Sequence, residues 1–263
     1  MTIKKNSYHN LLLFASVLLV FIPPALISGP FIPDLFIVII SIIFLYIYSH
    51  NKDELILFRS FFFKLFLVFY IYLILVSILS DHFYQSLKPS LTYIRFGLFS
   101  LAIFFILTKK KDFKLQFFIV LYFTIFILIF DGYFQFIFGK NIFGYEVNRP
   151  DRLSSFFFDE LILGSYLGKI LPIFCIFCLF NKKFINKHYI SISILLIYIL
   201  IFLSGERSAF LTTTLYLIMI SPFFIDLKKG IVFFMFVILI LGILISYNKN
   251  IKSRYVDQMI AHT

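Results

Sequence analysis

Long apolar runs broken by short polar connections dominate the chain, and the breaks fall at the spacing of membrane helices. A span needs about 20 mostly apolar residues. Nine runs approach that length, at residues 11–27, 31–48, 61–79, 91–107, 115–130, 161–180, 189–203, 209–225 and 231–247. The pattern predicts an all-α fold, a polytopic transmembrane helix bundle of about nine spans with the N-terminus inside and the C-terminus outside. Lys4 and Lys5 precede the first run as they would in a secretory signal. That run is too long, however, no A-x-A cleavage site follows it, and Pro23-Pro24 with Ser28-Gly29-Pro30 reads as a turn between spans. It is expected to be a retained helix. The expected organisation is spans one to five in 1–130, an exported loop in 131–160, spans six to nine in 161–247, and the start of another exported loop in 248–263.

Composition excludes whole classes of function. The chain is 61% hydrophobic and only 14% charged, whereas soluble domains run near 25% charged. A soluble enzyme, a nucleic-acid binder and a secreted disulfide scaffold are ruled out as whole-chain readings, despite a net charge of +11. In a membrane protein that charge is read by side. The connections assigned inside are short and basic, carrying Lys52, Arg59, Lys109, Lys110, Lys111, Lys114, Lys182, Lys183, Lys187, Lys228 and Lys229.

Separating lysine from arginine sharpens the picture. Of 18 lysines, 13 fall inside, but of 6 arginines only Arg59 does; Arg95, Arg149, Arg152, Arg207 and Arg254 all fall on the exported side. Abundant Phe, Ile, Lys, Asn and Tyr suggest AT-rich coding, under which an unneeded arginine drifts to lysine. A guanidinium clamps phosphate or carboxylate through a planar fork that lysine cannot copy. The retained arginines point to an anionic ligand at the outer face, with chance placement in so small a sample as the alternative.

Other chemistry is sparse. Cys175 and Cys178 form a lone C-x-x-C inside an apolar run and read as buried, inert thiols. The histidines are scattered, so no metal site is expected. The longest hydrophilic connection, 131–160, holds Asp131, Gln135, Glu146, Arg149, Asp151, Arg152, Asp159 and Glu160 among aromatics. Loops of this length are usually functional or disordered. This one reads as a re-entrant or interfacial segment, or as a solvated loop anchored by its aromatic rings. Asp159 and Glu160 open the sixth span, where carboxylates also serve simply as caps. Gly164 and Gly168 form a G-x-x-x-G that admits a neighbouring helix, Pro172 is expected to kink the span, and Lys169 lies at a depth where an ammonium needs a partner or must snorkel. Ser204-Gly205-Glu206-Arg207-Ser208 turns between spans seven and eight. Glu206 and Arg207 there form either a self-satisfied pair or an arginine aimed at a phosphate from a helix N-terminus.

Two of these segments resemble the O-antigen ligase and polymerase family of bacterial envelope glycosyltransferases. They are RLSSFFFDELILGSYLGKILP at 152–172 and FLSGERSAFL at 202–211, and DGYFQFIFGKNIFG at 131–144 is similar to the start of that family's outer loop. The resemblance covers about residues 131–246. It implies a multi-pass protein of the bacterial inner membrane with a periplasmic active face. Such an enzyme transfers or polymerises a glycan carried on undecaprenyl diphosphate, with lipid A-core or a second carrier-linked glycan as acceptor. The lipid bilayer is the remaining partner, nucleic acid is not one, and neither cofactor nor metal is implied. Carried onto matching positions, Arg152 and Arg207 contact the diphosphate and stabilise its developing charge. Glu206 is the third catalytic candidate, and Arg149, Asp159, Glu160 and Lys169 are candidates for substrate binding.

The family usually has further spans and a large exported loop with a functional histidine after the ninth span. The chain is therefore expected to be the N-terminal part of a longer protein, or a truncated and inactive product, and His262 and Arg254 receive no role. Two other classes stay open. A transporter or flippase for a lipid-linked anion would also use outer arginines, though it predicts ionisable groups near the midplane and inverted repeats. A non-catalytic membrane subunit predicts that the arginines are dispensable.

Overall fold

A computed structural model describes residues 5–50, 58–146, 149, 151–180, 187–224 and 227–258. The basic connections at 51–57 and 181–186, with Lys52, Lys182 and Lys183, lie outside the described residues, as do Lys4 and His262. The described residues are mostly helical, and no strand occurs among them. It divides into two compact units, Met1–Leu121 and Tyr122–Thr263.

The first unit contains α1 (Lys5–Val20), the single turn α2 (Ile22–Ala25), α3 (Phe31–His50), α4 (Phe61–Ile78), α5 (Phe83–Thr92) and α6 (Ile94–Lys109). Pro23 and Pro24 fall in the first turn of α2, where a missing amide costs nothing, and the chain bends by 50° between 7–20 and 22–28. Ser60 caps α4 by accepting from the Phe63 amide at 3.3 Å. Ile40, Phe44 and Ile47 of α3 recur at helical spacing and pack with Leu101, Phe105 and Ile106 of α6 and with Leu12, Ala15 and Leu19 of α1. Gly97 lets the Phe66 ring lie directly against α6, in space a Cβ would fill.

The element the hydropathy pattern missed is α5. Its stretch from Phe83 to Thr92 is too polar to read as a span, yet it precedes α6 with only Tyr93 between them. Side-chain hydroxyls hold it against α4. Ser77 and Ser90 share a hydrogen bond of 2.5 Å, and the Tyr70 hydroxyl donates to the Leu91 carbonyl at 3.1 Å.

The second unit holds the end of α7 (Phe113–Phe138), then α8 (Leu163–Phe180), α9 (Lys187–Leu203), α10 (Arg207–Phe224), α11 (Leu227–Tyr247), the turn α12 (Lys249–Lys252) and a π-helical turn over Ser253–Asp257. The fifth span runs past the expected limit at 130, so Asp131 and Gln135 are helical residues rather than loop residues. Likewise α10 begins at Arg207. Helix α8 runs through Pro172 without ending there.

The small-residue motif in α8 does admit neighbours. A Cβ on Gly164 would collide with Ser204 and press on Glu206, and one on Gly168 would lie 2.8 Å from the Thr213 hydroxyl of α10. Cys175 and Cys178 are both free and buried in the same helix.

Helices long and apolar enough to cross a membrane are Phe31–His50, Phe61–Ile78, Phe83–Lys109 and Phe113–Phe138, with a fifth if the bent N-terminal pair is one span. Shorter apolar helices follow at Leu163–Leu179, Tyr189–Leu203 and Val237–Tyr247. Their outer faces are what hydrocarbon requires. Phe62 is 80% exposed, Val68 66% and Leu215 63%, a density of exposed apolar side chains that water would penalise.

Candidate functional site

The site is built in the second unit from three separate stretches: the 139–162 loop, the 204–207 turn and the C-terminal turn. Arg149 and Arg152 come from the first, Arg207 from the second and Arg254 from the third.

The loop is folded down onto the buried end of α7. Asp131, fully buried, accepts from the Ile142 amide at 2.8 Å and from the Ser155 hydroxyl at 2.5 Å. One turn on, Gln135 Oε1 accepts from the Ser154 and Ser155 amides at 3.1 and 2.7 Å. Buried Asn141 donates to the Ser155 carbonyl at 3.2 Å and accepts from the Tyr145 amide at 2.9 Å. Ser155 holds φ at 53°, a left-handed conformation unusual outside glycine. Three polar side chains thereby satisfy loop backbone that would otherwise be stranded away from water.

At the 204–207 turn, Gly205 has φ of 72°, and a Cβ there would strike the Asp151 carbonyl and press on Arg152. Only glycine fits both constraints. Glu206 is 7% exposed. Its carboxylate accepts from the Gly164 amide at 2.7 Å, from the Ser165 amide at 3.1 Å and from the Ser165 hydroxyl. Glu206 therefore caps α8, the role expected of Asp159 or Glu160. Those two acids are exposed and precede the helix. Glu206 does not pair with its neighbour Arg207 either. Its charge partner is Arg152, with Nη2 at 4.0 Å.

The arginines surround this turn. Arg152 Nη2 donates to the Leu161 carbonyl at 2.6 Å. Arg207 donates to the Arg254 carbonyl and to Gln258 Oε1, the latter at 3.2 Å. Arg254 donates through Nε to the Gly205 carbonyl at 3.0 Å and through Nη1 to Gln258 at 2.9 Å, and lies 3.7 Å from Asp151 Oδ2. Arg149 reaches the other Asp151 oxygen at 3.5 Å. Among the described residues four guanidinium groups thus face two carboxylates, Asp151 and Glu206, leaving two positive charges in excess there. Burial first, then repulsion from Arg207, Arg152 and Arg149, hold the Arg254 pKa below its usual value against the opposing pull of Asp151. The Nε atoms of Arg152 and Arg207 are buried without a hydrogen-bond partner, as is Asp151 Oδ2.

The fifth arginine that the sequence assigns to the exported side, Arg95, belongs to the first unit. It binds Asp34 at 2.9 Å and lies over the Phe96 ring. Lys169 is exposed on α8 and makes no contact with the cluster.

An apolar cavity of about 870 Å³ adjoins the site between α9, α10 and α11, lined by Tyr198, Phe210, Ile218 and Leu241 among others. Phe202 and Tyr255 close its end beside Gly205 and Arg254. Their rings stack at 4.4 Å, and the Tyr255 hydroxyl donates to the Phe202 carbonyl at 2.8 Å. Among the described residues, no three His, Cys, Asp or Glu side chains gather as metal ligands would.

Arg254, Tyr255 and Gln258 carried no local motif; only the sorting of arginines by side singled Arg254 out. The supports Asp131, Gln135 and Asn141 fall in the 131–144 segment that the resemblance covers, but nothing in the sequence gave them a supporting role.

Fold and site together define an apolar helical protein in which four arginines gather around two carboxylates beside an apolar cavity. No family model, no curated protein and no solved structure matches the chain.

Proposed function

We propose that the chain is an integral membrane glycosyltransferase, or the greater part of one, acting on glycan linked to undecaprenyl diphosphate at the periplasmic face of the bacterial inner membrane. In this reading the remaining apolar helices also cross the bilayer, giving nine spans with the N-terminus inside and the C-terminus outside. The observation that carries it is the convergence of Arg149, Arg152, Arg207 and Arg254 around only two carboxylates. A diphosphate esterified at both ends bears two negative charges, which match the two uncompensated positive ones. The adjoining cavity of about 870 Å³ is apolar, as an isoprenoid tail requires. The motif resemblance at 152–172 and 202–211 names Arg152 and Arg207, whose Nε atoms, like that of Arg95, are buried without a hydrogen-bond partner among the described residues.

The chemistry follows from charge. When an acceptor hydroxyl attacks the anomeric carbon, the bond to the diphosphate oxygen breaks and negative charge grows on the leaving group. Preorganised guanidinium donors stabilise that charge more in the transition state than in the bound substrate. Glu206 contributes by fixing the turn and α8, since its oxygens are occupied by the α8 amides and the Ser165 hydroxyl.

The test replaces Arg152 and Arg207 singly by lysine, in the full-length gene, in a strain lacking its own copy. Each variant is expected to abolish surface glycan assembly at unchanged membrane protein level. Normal long-chain glycan from both would overturn the reading. Translocation of a fluorescent lipid diphosphate by the reconstituted protein, without glycan transfer, would assign the arginines to a flippase instead.

A further inference from the structure

A second cavity, of about 400 Å³, opens between α8 and α10 and is lined by Ser165, Gly168, Lys169, Ser208, Thr212 and Tyr216 together with Pro172 and Ala209. It lies on the opposite side of α10 from the apolar cavity. Phe210, Thr214 and Ile218 face one, and Ser208, Thr212 and Tyr216 face the other. The two differ in kind, because five of the eight residues lining the second carry a hydroxyl or an ammonium, against four hydroxyls among the fourteen lining the first, and the second alone has a cation.

Lys169 decides what such a groove can hold. It stands six residues beyond Leu163, the start of α8, so its Cα lies about 9 Å along the helix at 1.5 Å per residue. An ammonium at that depth needs a counter-charge or must snorkel away. Among the described residues it has no hydrogen bond and no ion pair, since Glu206, the acid nearest along this helix pair, is taken up by the amides of Gly164 and Ser165 and the Ser165 hydroxyl. The Ser208 hydroxyl, in the same groove, is also without a partner among the described residues. The Tyr216 hydroxyl, by contrast, is engaged by the Cys175 thiol and the Pro172 carbonyl. Lys169 and Ser208 therefore present donors into a space with no acidic side chain, on a helix pair whose neighbouring faces are apolar.

We infer that this groove binds the phosphate head of an anionic amphiphile lying in the bilayer, with Lys169 as the counter-charge and the Ser208 hydroxyl as a further donor. The groove adjoins the arginine cluster through the Ser165 hydroxyl, which donates to Glu206, but Lys169 and Ser208 make no hydrogen bond or ion pair with that cluster among the described residues. This site rests on the chain lying in a membrane and not on the glycosyltransferase reading, so either can fail without the other.

The experiment is native mass spectrometry of the purified full chain released from vesicles of phosphatidylcholine mixed with phosphatidylglycerol. The wild type is expected to retain one phosphatidylglycerol in preference to phosphatidylcholine. Lys169→Gln should lower that preference about tenfold, the loss of one charge-assisted hydrogen bond, while Lys169→Arg keeps it. Ser208→Ala, which leaves the lysine in place, should lower it about threefold. Equal retention of the two lipids by the wild type, or undiminished phosphatidylglycerol retention in both Lys169→Gln and Ser208→Ala, would overturn the proposal. Displacement of the lipid by free glycerol 1-phosphate at equal concentration would assign the groove to a soluble phosphate and overturn the amphiphile.

Discussion

Replacing Glu206 by alanine is the sharpest perturbation available, because one side chain joins the 204–207 turn to the first turn of α8. The carboxylate accepts from two backbone amides, at 2.7 and 3.1 Å, and from the Ser165 hydroxyl, and it faces Arg152 at 4.0 Å. Loss of a helix cap costs about 1–2 kcal/mol. Each buried donor left without an acceptor adds about 1–3 kcal/mol, and removing one partner of a buried ion pair is in the same range at about 3–5 kcal/mol. These terms overlap, so the expected cost of Glu206→Ala is about 3–5 kcal/mol. Glu206→Gln keeps one acceptor oxygen and should cost about half as much. Amide hydrogen exchange at Gly164 and Ser165 reads the effect locally, and the alanine variant should exchange about two orders of magnitude faster at both. Unfolding in mixed detergent micelles reads it globally. Unchanged protection at those two amides would refute the capping role and return Glu206 to the list of groups free for catalysis.

Further expectations follow from the same geometry. Asp131→Ala strands the Ile142 amide and the Ser155 hydroxyl, and should cost about 2–4 kcal/mol, seen as faster proteolysis of the 139–162 loop; equal cleavage rates would contradict its anchoring role. Asp34→Ala should cost no more than about 1 kcal/mol, because the Asp34 side chain is 43% exposed and that of Arg95 32%, and a larger loss of thermal stability would show that pair to be structural. Gly205→Ala meets both a left-handed φ and the Asp151 carbonyl, so the arginine cluster should be disrupted and the variant should lose stability, by about 1–3 kcal/mol from the backbone conformation alone. Cys175 and Cys178, at 0% and 1% exposure, should resist maleimide in the folded protein and react on unfolding.

Hydropathy located most helices to within a few residues, because burial in hydrocarbon or core demands apolar side chains whatever their partners. It failed where polarity and secondary structure part company. Helix α5 is polar enough to read as a loop, yet serine and tyrosine hydroxyls hold it on α4. Asp131 and Gln135 read as the start of a loop, but they extend α7 because the loop returns and supplies their hydrogen-bond partners.

Sequence by itself determined that this is an apolar, helical chain and that Gly164 and Gly168 leave room for a neighbour. Each is a property of a residue's own chemistry or of its spacing along one helix. Which arginines act together was decided only by tertiary structure. Arg95 and Arg254 look alike in sequence, yet one is neutralised by Asp34 while the other joins Arg149, Arg152 and Arg207. Glu206 likewise stands beside Arg207 in the chain but serves an amide 42 residues away. Hydrogen bonds and charge pairs act over a few ångströms of space, and chain distance carries no information about that until the helices have packed.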